Sequence, residues 1–250
     1  MTSMLSTQRG MRLAVLLVAM IALSGCPTSV RPPSPQPEPL PPTPVVTVPG
    51  ATFYAVNPQA SKVHIRVFRA GTLARFGHNH VMSVQDLKGR VWVHPSLDKS
   101  GFEFSFPVAN LIVDDPAART EAGSDFPPEI PQKDRQGTRD NMLRAGVLDA
   151  EHFPEISLRS VKLSGTAEHP SVTARITIRN ATHDVVLTPA IKIQGARLTT
   201  TGEFDIQQTD FGIQPFTAAL GALAVQDRLH VKFDVVAEEV GDHKKELKKE

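Results

Sequence analysis

A single cysteine among 250 residues excludes a disulfide framework within the chain and any zinc site built on several thiolates. Charge of one sign is missing too: 27 Lys and Arg stand against 26 Asp and Glu, so no polyanion-binding surface follows from the net charge of +1. Aromatic residues make up only 6%, with one Trp and one Tyr. Catalytic signatures are lacking: no Gly-x-Ser-x-Gly elbow, Gly-x-Gly-x-x-Gly turn, phosphate-binding loop or His-Glu-x-x-His helix occurs, and scattered carboxylates define no acid–base pair. The longest apolar run, Leu13 to Leu23, has 11 residues, too few to span a bilayer. What is present, 40% hydrophobic and 21% charged residues, is enough to bury a core, and points to a soluble domain with added segments.

The first segment is an address. Arg9 and Arg12 precede the apolar run, and Leu23-Ser24-Gly25-Cys26 follows it with the small side chains a signal peptidase requires. This pattern resembles a bacterial lipoprotein signal with its lipobox. The resemblance implies removal of residues 1–25 and a lipidated Cys26 at the mature N-terminus. Pro27, rather than an acidic residue, implies the outer membrane, with the domain facing the periplasm. Loss of Arg9 and Arg12 takes the net charge from +1 to −1. Several acyl chains anchor firmly, at roughly 0.8 kcal/mol per buried methylene.

Residues 27–50 contain 10 prolines in 24 positions, a density no helix or sheet survives. With Cys26 they form an expected tether over 26–50, extended and semi-rigid, with a reach on the order of 70 Å at about 3.1 Å per residue. Residues 241–250 are expected to be a solvated tail, since 4 Lys mix with 3 acidic residues.

Between residues 51 and 240 the dominant signal is period-two alternation. Phe102, Phe104, Phe106 and Val108 share one face; Val172, Ala174, Ile176 and Ile178 another; Leu229, Val231, Phe233 and Val235 a third. Less regular strands are expected at 62–68, 80–84, 89–94, 156–163, 185–193 and 198–206. Turn signals at regular spacing make this an antiparallel all-β barrel or sandwich. Residues 114–137 break the period as a long loop, and Thr138 to Gly146 predicts a short helix capped at Gly137 or Thr138.

Several local motifs, taken in order, resemble the YceI-like family of periplasmic polyisoprenoid-binding barrels. Phe53 to Ser61 and Lys62 to Val67 look like its first hairpin, with Asn57-Pro58 in place of Asp-Pro. Leu87 to Val93 looks like its Gly-containing second strand. Arg139-Asp140, Leu143, Leu148-Asp149 and His152-Phe153-Pro154 look like its helix and following strand. Ala174 to Arg179, Thr182, Asp210 to Ile213 and Val225 to Glu238 continue the match. Asn180 stands where Gly is usual and also tolerates a left-handed turn.

The resemblance implies an extended, lipocalin-like, eight-stranded antiparallel barrel with one short helix and a long loop. It also implies an interior that holds an isoprenoid, quinone-like or other long amphiphilic lipid, without a cofactor and without chemistry on the ligand. The lumen candidates are Phe102, Phe104, Phe106, Ile176, Ile178, Phe204, Phe233 and Val235. Each could equally fill a solid core, leaving a scaffold whose outer strands bind another envelope protein.

Gly77-His78-Asn79-His80 is the most suggestive polar cluster. In an extended segment His78 and His80 share a face, a spacing compatible with two metal ligands, with a third from His64 or His94. That would suit a metal- or haem-associated redox accessory. The alternatives are a hydrogen-bonded turn or a contact with a ligand headgroup at the barrel mouth, for which Arg139 is a further candidate. Mass spectrometry of the mature protein is expected to show a chain beginning at an acylated Cys26; an unmodified thiol there contradicts the anchor.

Overall fold

The structure, a computed structural model, describes residues 47–241. The segments expected as export signal, lipidated Cys26, most of the tether and the tail beyond Gly241 lie outside the described residues. The elements, in chain order, are β1 (Thr52–Val56), β2 (Lys62–Ala70), β3 (His80–Ser83), β4 (Lys88–Val93), β5 (Gly101–Pro107), β6 (Ile112–Val113), α1 (Pro116–Ala122), α2 (Gln132–Leu143), β7 (Glu155–Gly165), β8 (Pro170–Ile178), β9 (Ala181–Leu187), β10 (Ala190–Gln194), β11 (Arg197–Gln207), β12 (Thr217–Ala218) and β13 (Leu223–Glu239).

All strands pair antiparallel in a single sheet of 13 segments, more than the eight expected, because several strands are broken and continue end to end. The segments trace eight meandering paths: β1–β2, β3–β4, β5–β6, β7, β8, β9–β10, β11 and β13, with β12 a two-residue partner of β13. The long β13 brings the two ends of the meander together. One edge pairs with β11 from Arg228 to Glu238, while the other takes β2 from Ala224 to Asp234 and β1 from Ala237 to Glu239.

The break between β1 and β2 is a built corner. Asn57 N–H donates to the Val236 carbonyl (2.8 Å), and the Asn57 side chain accepts from Ala60 N–H (3.1 Å). The Ser61 hydroxyl accepts from Val236 N–H (3.0 Å) and donates to the Asn57 carbonyl (2.7 Å). Short polar side chains thus replace the ladder bonds that the corner removes.

The break between β9 and β10 is different. β9 pairs only with β8, and β10 only with β11, so the ladder is open where one strand changes partners. Thr188-Pro189 sits at the change; a proline lacks the N–H a ladder needs. Beside β9 the gap is covered by the helical turn Gln208–Phe211, whose Phe211 ring meets His183 edge-on at 6.0 Å.

Among the described residues two helices replace the expected one. Asp115 caps α1, accepting from Ala117 and Ala118 N–H at 3.0 Å each, with Pro116 in the first turn. α2 starts six residues earlier than expected, after Pro131, with Gly137 in its interior rather than at its cap. It stops at Leu143, because Leu148 and Ala150 N–H satisfy the Met142 and Leu143 carbonyls. In the turn after β8 the left-handed residue is Arg179 (φ 57°), not Asn180.

The segment expected as a loop therefore packs instead of wandering. Phe126, 2% exposed, joins Val81 and Ala118 in a cluster on the outer face of β2 and β3, its ring edge-on to Phe68 at 5.5 Å. Truncating Phe126 to Ala is expected to lower stability by about 3–5 kcal/mol. Denaturant unfolding checks it, and an unchanged midpoint would mean that this segment is not docked.

Candidate functional site

Inward residues of the eight paths enclose an elongated apolar cavity of about 260 Å³. Phe102, Phe104, Phe106, Ile176, Ile178, Phe204, Phe233 and Val235 all line it. Its polar lining side chains are confined to Trp92, His94, Ser100 and Thr200.

The registers fix which end is which. Phe106 pairs with Ile156, and Ile206 with Leu229, toward the end where Met82, Leu111, Phe211 and Ile213 are buried in the main core. Met142, Leu143, Val147 and Leu148, from the end of α2 and the turn after it, pack against the same core and shut that end. Val93 and Leu163 lie at the opposite end, paired with Thr52 and Val172. There Pro95, Leu97 and Ala167 reach the cavity, as do Ile191 and Ile193 of β10, which are 39% and 44% exposed. Residues that line a hollow and also face solvent mark its mouth. It lies where β10 has left β8.

Why the inner rings leave space follows from cross-strand partners. Phe104 stands opposite Gly89, and Phe233 opposite Gly202. A side-chain carbon on Gly202 would fall 2.7 Å from the Phe233 ring, and one on Gly89 would fall 2.8 Å from Phe104. Each ring lies on bare neighbouring backbone instead of projecting across the lumen. Gly89, at φ 142°, also adopts a conformation that side chains resist. Phe102 stacks on Phe104 at 4.7 Å, and Phe204 lies 6.2 Å from Phe233, so the rings cluster along the wall.

The polar candidates fall elsewhere. His80 pairs with Val67, which pairs with Leu229 toward the closed end, so His78 and His80 are not at the mouth and neither lines the cavity. Their rings lie 6.3 Å apart, but His64 occupies the opposite face of β2 and His94 the opposite end of the barrel. Strand alternation separates His64, and barrel length separates His94. Among the described residues no three His, Cys, Asp or Glu side chains are gathered for a metal ion. Arg139 lies in a separate groove beside β6, where its Nη2 donates to the Ala109 carbonyl at 2.6 Å.

His94 is the histidine that reaches the cavity, its Nδ1 accepting from Ser96 N–H at 2.8 Å. The sequence carried a usable signal for the rim in the alternating Ile191 and Ile193, but only the partner change at Pro189 makes them a lip.

His80 instead belongs to a buried charge cluster that no local pattern foretold. Its Nδ1 lies 2.6 Å from Asp114 Oδ2, while Arg119 Nη1 (2.5 Å) and Val81 N–H (2.9 Å) donate to Asp114 Oδ1. Arg119 also donates to the Asn79 and Pro127 carbonyls. The Asp114 and Arg119 side chains are both 0% exposed. Burial pushes the Asp114 carboxyl upward, but the donors from His80, Val81 and Arg119 together outweigh it and hold the group below its ordinary value.

Around this hollow the fold is an antiparallel barrel closed at one end and open to solvent at the other. The YceI-like domain model matches residues 54–237, and the chain belongs to that family. BcnA from Burkholderia cenocepacia shares the fold at 16% identity, with a TM-score of 0.54 over 73% of this chain and 99% of that one. A polyisoprenoid binding domain from Saccharophagus degradans, implicated in plant cell wall breakdown, aligns at 10% identity, with a TM-score of 0.50 over 75% and 98%. No curated protein matches.

Replacing Asp114 by Asn leaves Arg119 buried without its counter-charge and is expected to destabilise by about 3–5 kcal/mol at neutral pH. Because the folded-state value is lowered, the wild-type advantage is present above the ordinary carboxylate value near 4 and is lost as pH falls through the lower folded one. Denaturation of both proteins across this acid range checks it; a pH-independent difference contradicts the assignment.

Proposed function

We propose that this is a lipid-anchored protein of the bacterial envelope whose barrel holds an isoprenoid or similar long amphiphilic chain, as a carrier, store or protectant. One observation carries the reading: an almost wholly apolar lining runs from Phe106 and Ile178 at the closed end to Ile191 and Ile193 at the mouth. An apolar chain leaving water gains about 25 cal/mol per Å² buried, so such a wall needs no charged anchor. His94, Ser100 and Thr200 are within reach of a polar terminus near the open end. The Saccharophagus domain, described as polyisoprenoid binding, supports the ligand class. The reading asks the protein for binding and not catalysis.

Native extraction of the purified full-length chain, followed by mass spectrometry, is expected to release a long-chain apolar lipid. Gly202→Val forces the Phe233 ring off its backbone shelf and into the lumen. Overpacking of this kind costs about 1–3 kcal/mol, which borne by the occupied lumen lowers affinity by about 5- to 150-fold. A chain that neither carries nor accepts an apolar lipid, or full uptake by the Gly202→Val protein, would overturn the function.

A further inference from the structure

The described chain enters the barrel at its open end. Thr52 pairs with Val93, and Gly50 lies against His94, where an added side-chain carbon would fall 3.5 Å from the His94 Nε2. His94 lines the cavity beside Pro95 and Leu97. Across the opening, β10 presents Ile191 and Ile193, partly in the hollow and partly in solvent. The point where the tether departs and the apolar lip thus share one end.

From this we infer that the mouth docks on the bilayer that holds the anchor, with Ile191 and Ile193 set into the lipid surface, so that an apolar chain passes between membrane and lumen without crossing water. The inference rests on the anchor at Cys26 and on the lumen as the binding site.

Lengths favour this orientation over the reverse. β13 has 17 residues, roughly 55 Å along the strand at about 3.3 Å per residue, which at a barrel tilt of about 40° is roughly 40 Å of wall height. Docking by the closed end would oblige the tether to run back along that wall, using more than half of a reach on the order of 70 Å. Docking by the mouth uses almost none of it. Ile191 and Ile193 gain at a bilayer the burial that water denies them; Phe76 and Leu220 are more exposed still at the closed end, so the exit of the tether and the opening of the lumen, not apolar exposure, select the mouth.

The test uses the full-length chain, acylated at Cys26 and reconstituted into phosphatidylethanolamine and phosphatidylglycerol vesicles. Acylation occupies the sulfur of the only native cysteine, so one introduced thiol takes an environment-sensitive fluorophore. It is placed at Lys192→Cys on the lip, or at Glu151→Cys near the closed end. Both positions are exposed.

Lipids with brominated acyl chains are expected to quench the Lys192→Cys label several-fold more than the Glu151→Cys label, and Ile191→Asp with Ile193→Asp to abolish the difference. Equal quenching in chains that float with the vesicles overturns the docking while sparing the anchor. Chains that fail to float overturn the anchor itself. A lip label shielded from aqueous quencher but untouched by bromolipid shows a protein partner or a second copy on the lip, and also overturns the docking.

Discussion

A small barrel is hollow or solid according to where its largest inward side chains put their volume. Here Phe104 and Phe233 lie across Gly89 and Gly202 on neighbouring strands, so ring volume spreads over the wall. The rest follows from that placement. The lumen stays open along its axis, the closed end is sealed separately by Met82, Phe211, Ile213 and the residues after α2, and the polar groups of the lining gather near the mouth.

The opening has an equally local origin. Once Pro189 interrupts the ladder, β9 stays with β8 while β10 goes over to β11, and the sheet has a gap on each side of the switch. One gap is plugged by the turn that carries Phe211. Beside the other, Ile191 and Ile193 remain partly exposed. Access to the hollow thus lies where one strand changes partners at Thr188-Pro189 and the ladder is left open.

Much of this was legible in the sequence, for physical reasons. Alternation reports which side chains share a face, so Phe102, Phe104, Phe106, Ile176 and Ile178 could be placed inward from their spacing. Alternation cannot report what an inward face meets, and whether the barrel is hollow depended on cross-strand glycines 15 and 31 positions away from Phe104 and Phe233. Likewise, residues 114–137, which hold Asp114 and Arg119, read as a loop because the segment lacks a strand period. The burial of these two is set by Phe126 folding back over Val81. The His78 and His80 pair was visible but its setting was not: Asp114, 34 residues from His80, claims its Nδ1. The helix start at Gln132 was hidden because a polar, glycine-containing segment carries little periodic signal, and α2 touches the core chiefly through its last two residues.

The central claim is that the alternating side chains surround space that an apolar chain can occupy. A crystal structure of the full-length chain purified from its native envelope tests it most directly. The account predicts continuous elongated density from beside Phe106 toward Ile193, with the Phe233 ring still lying on Gly202. A lumen closed by its own rings, with Phe104 and Phe233 meeting across the axis, would contradict it.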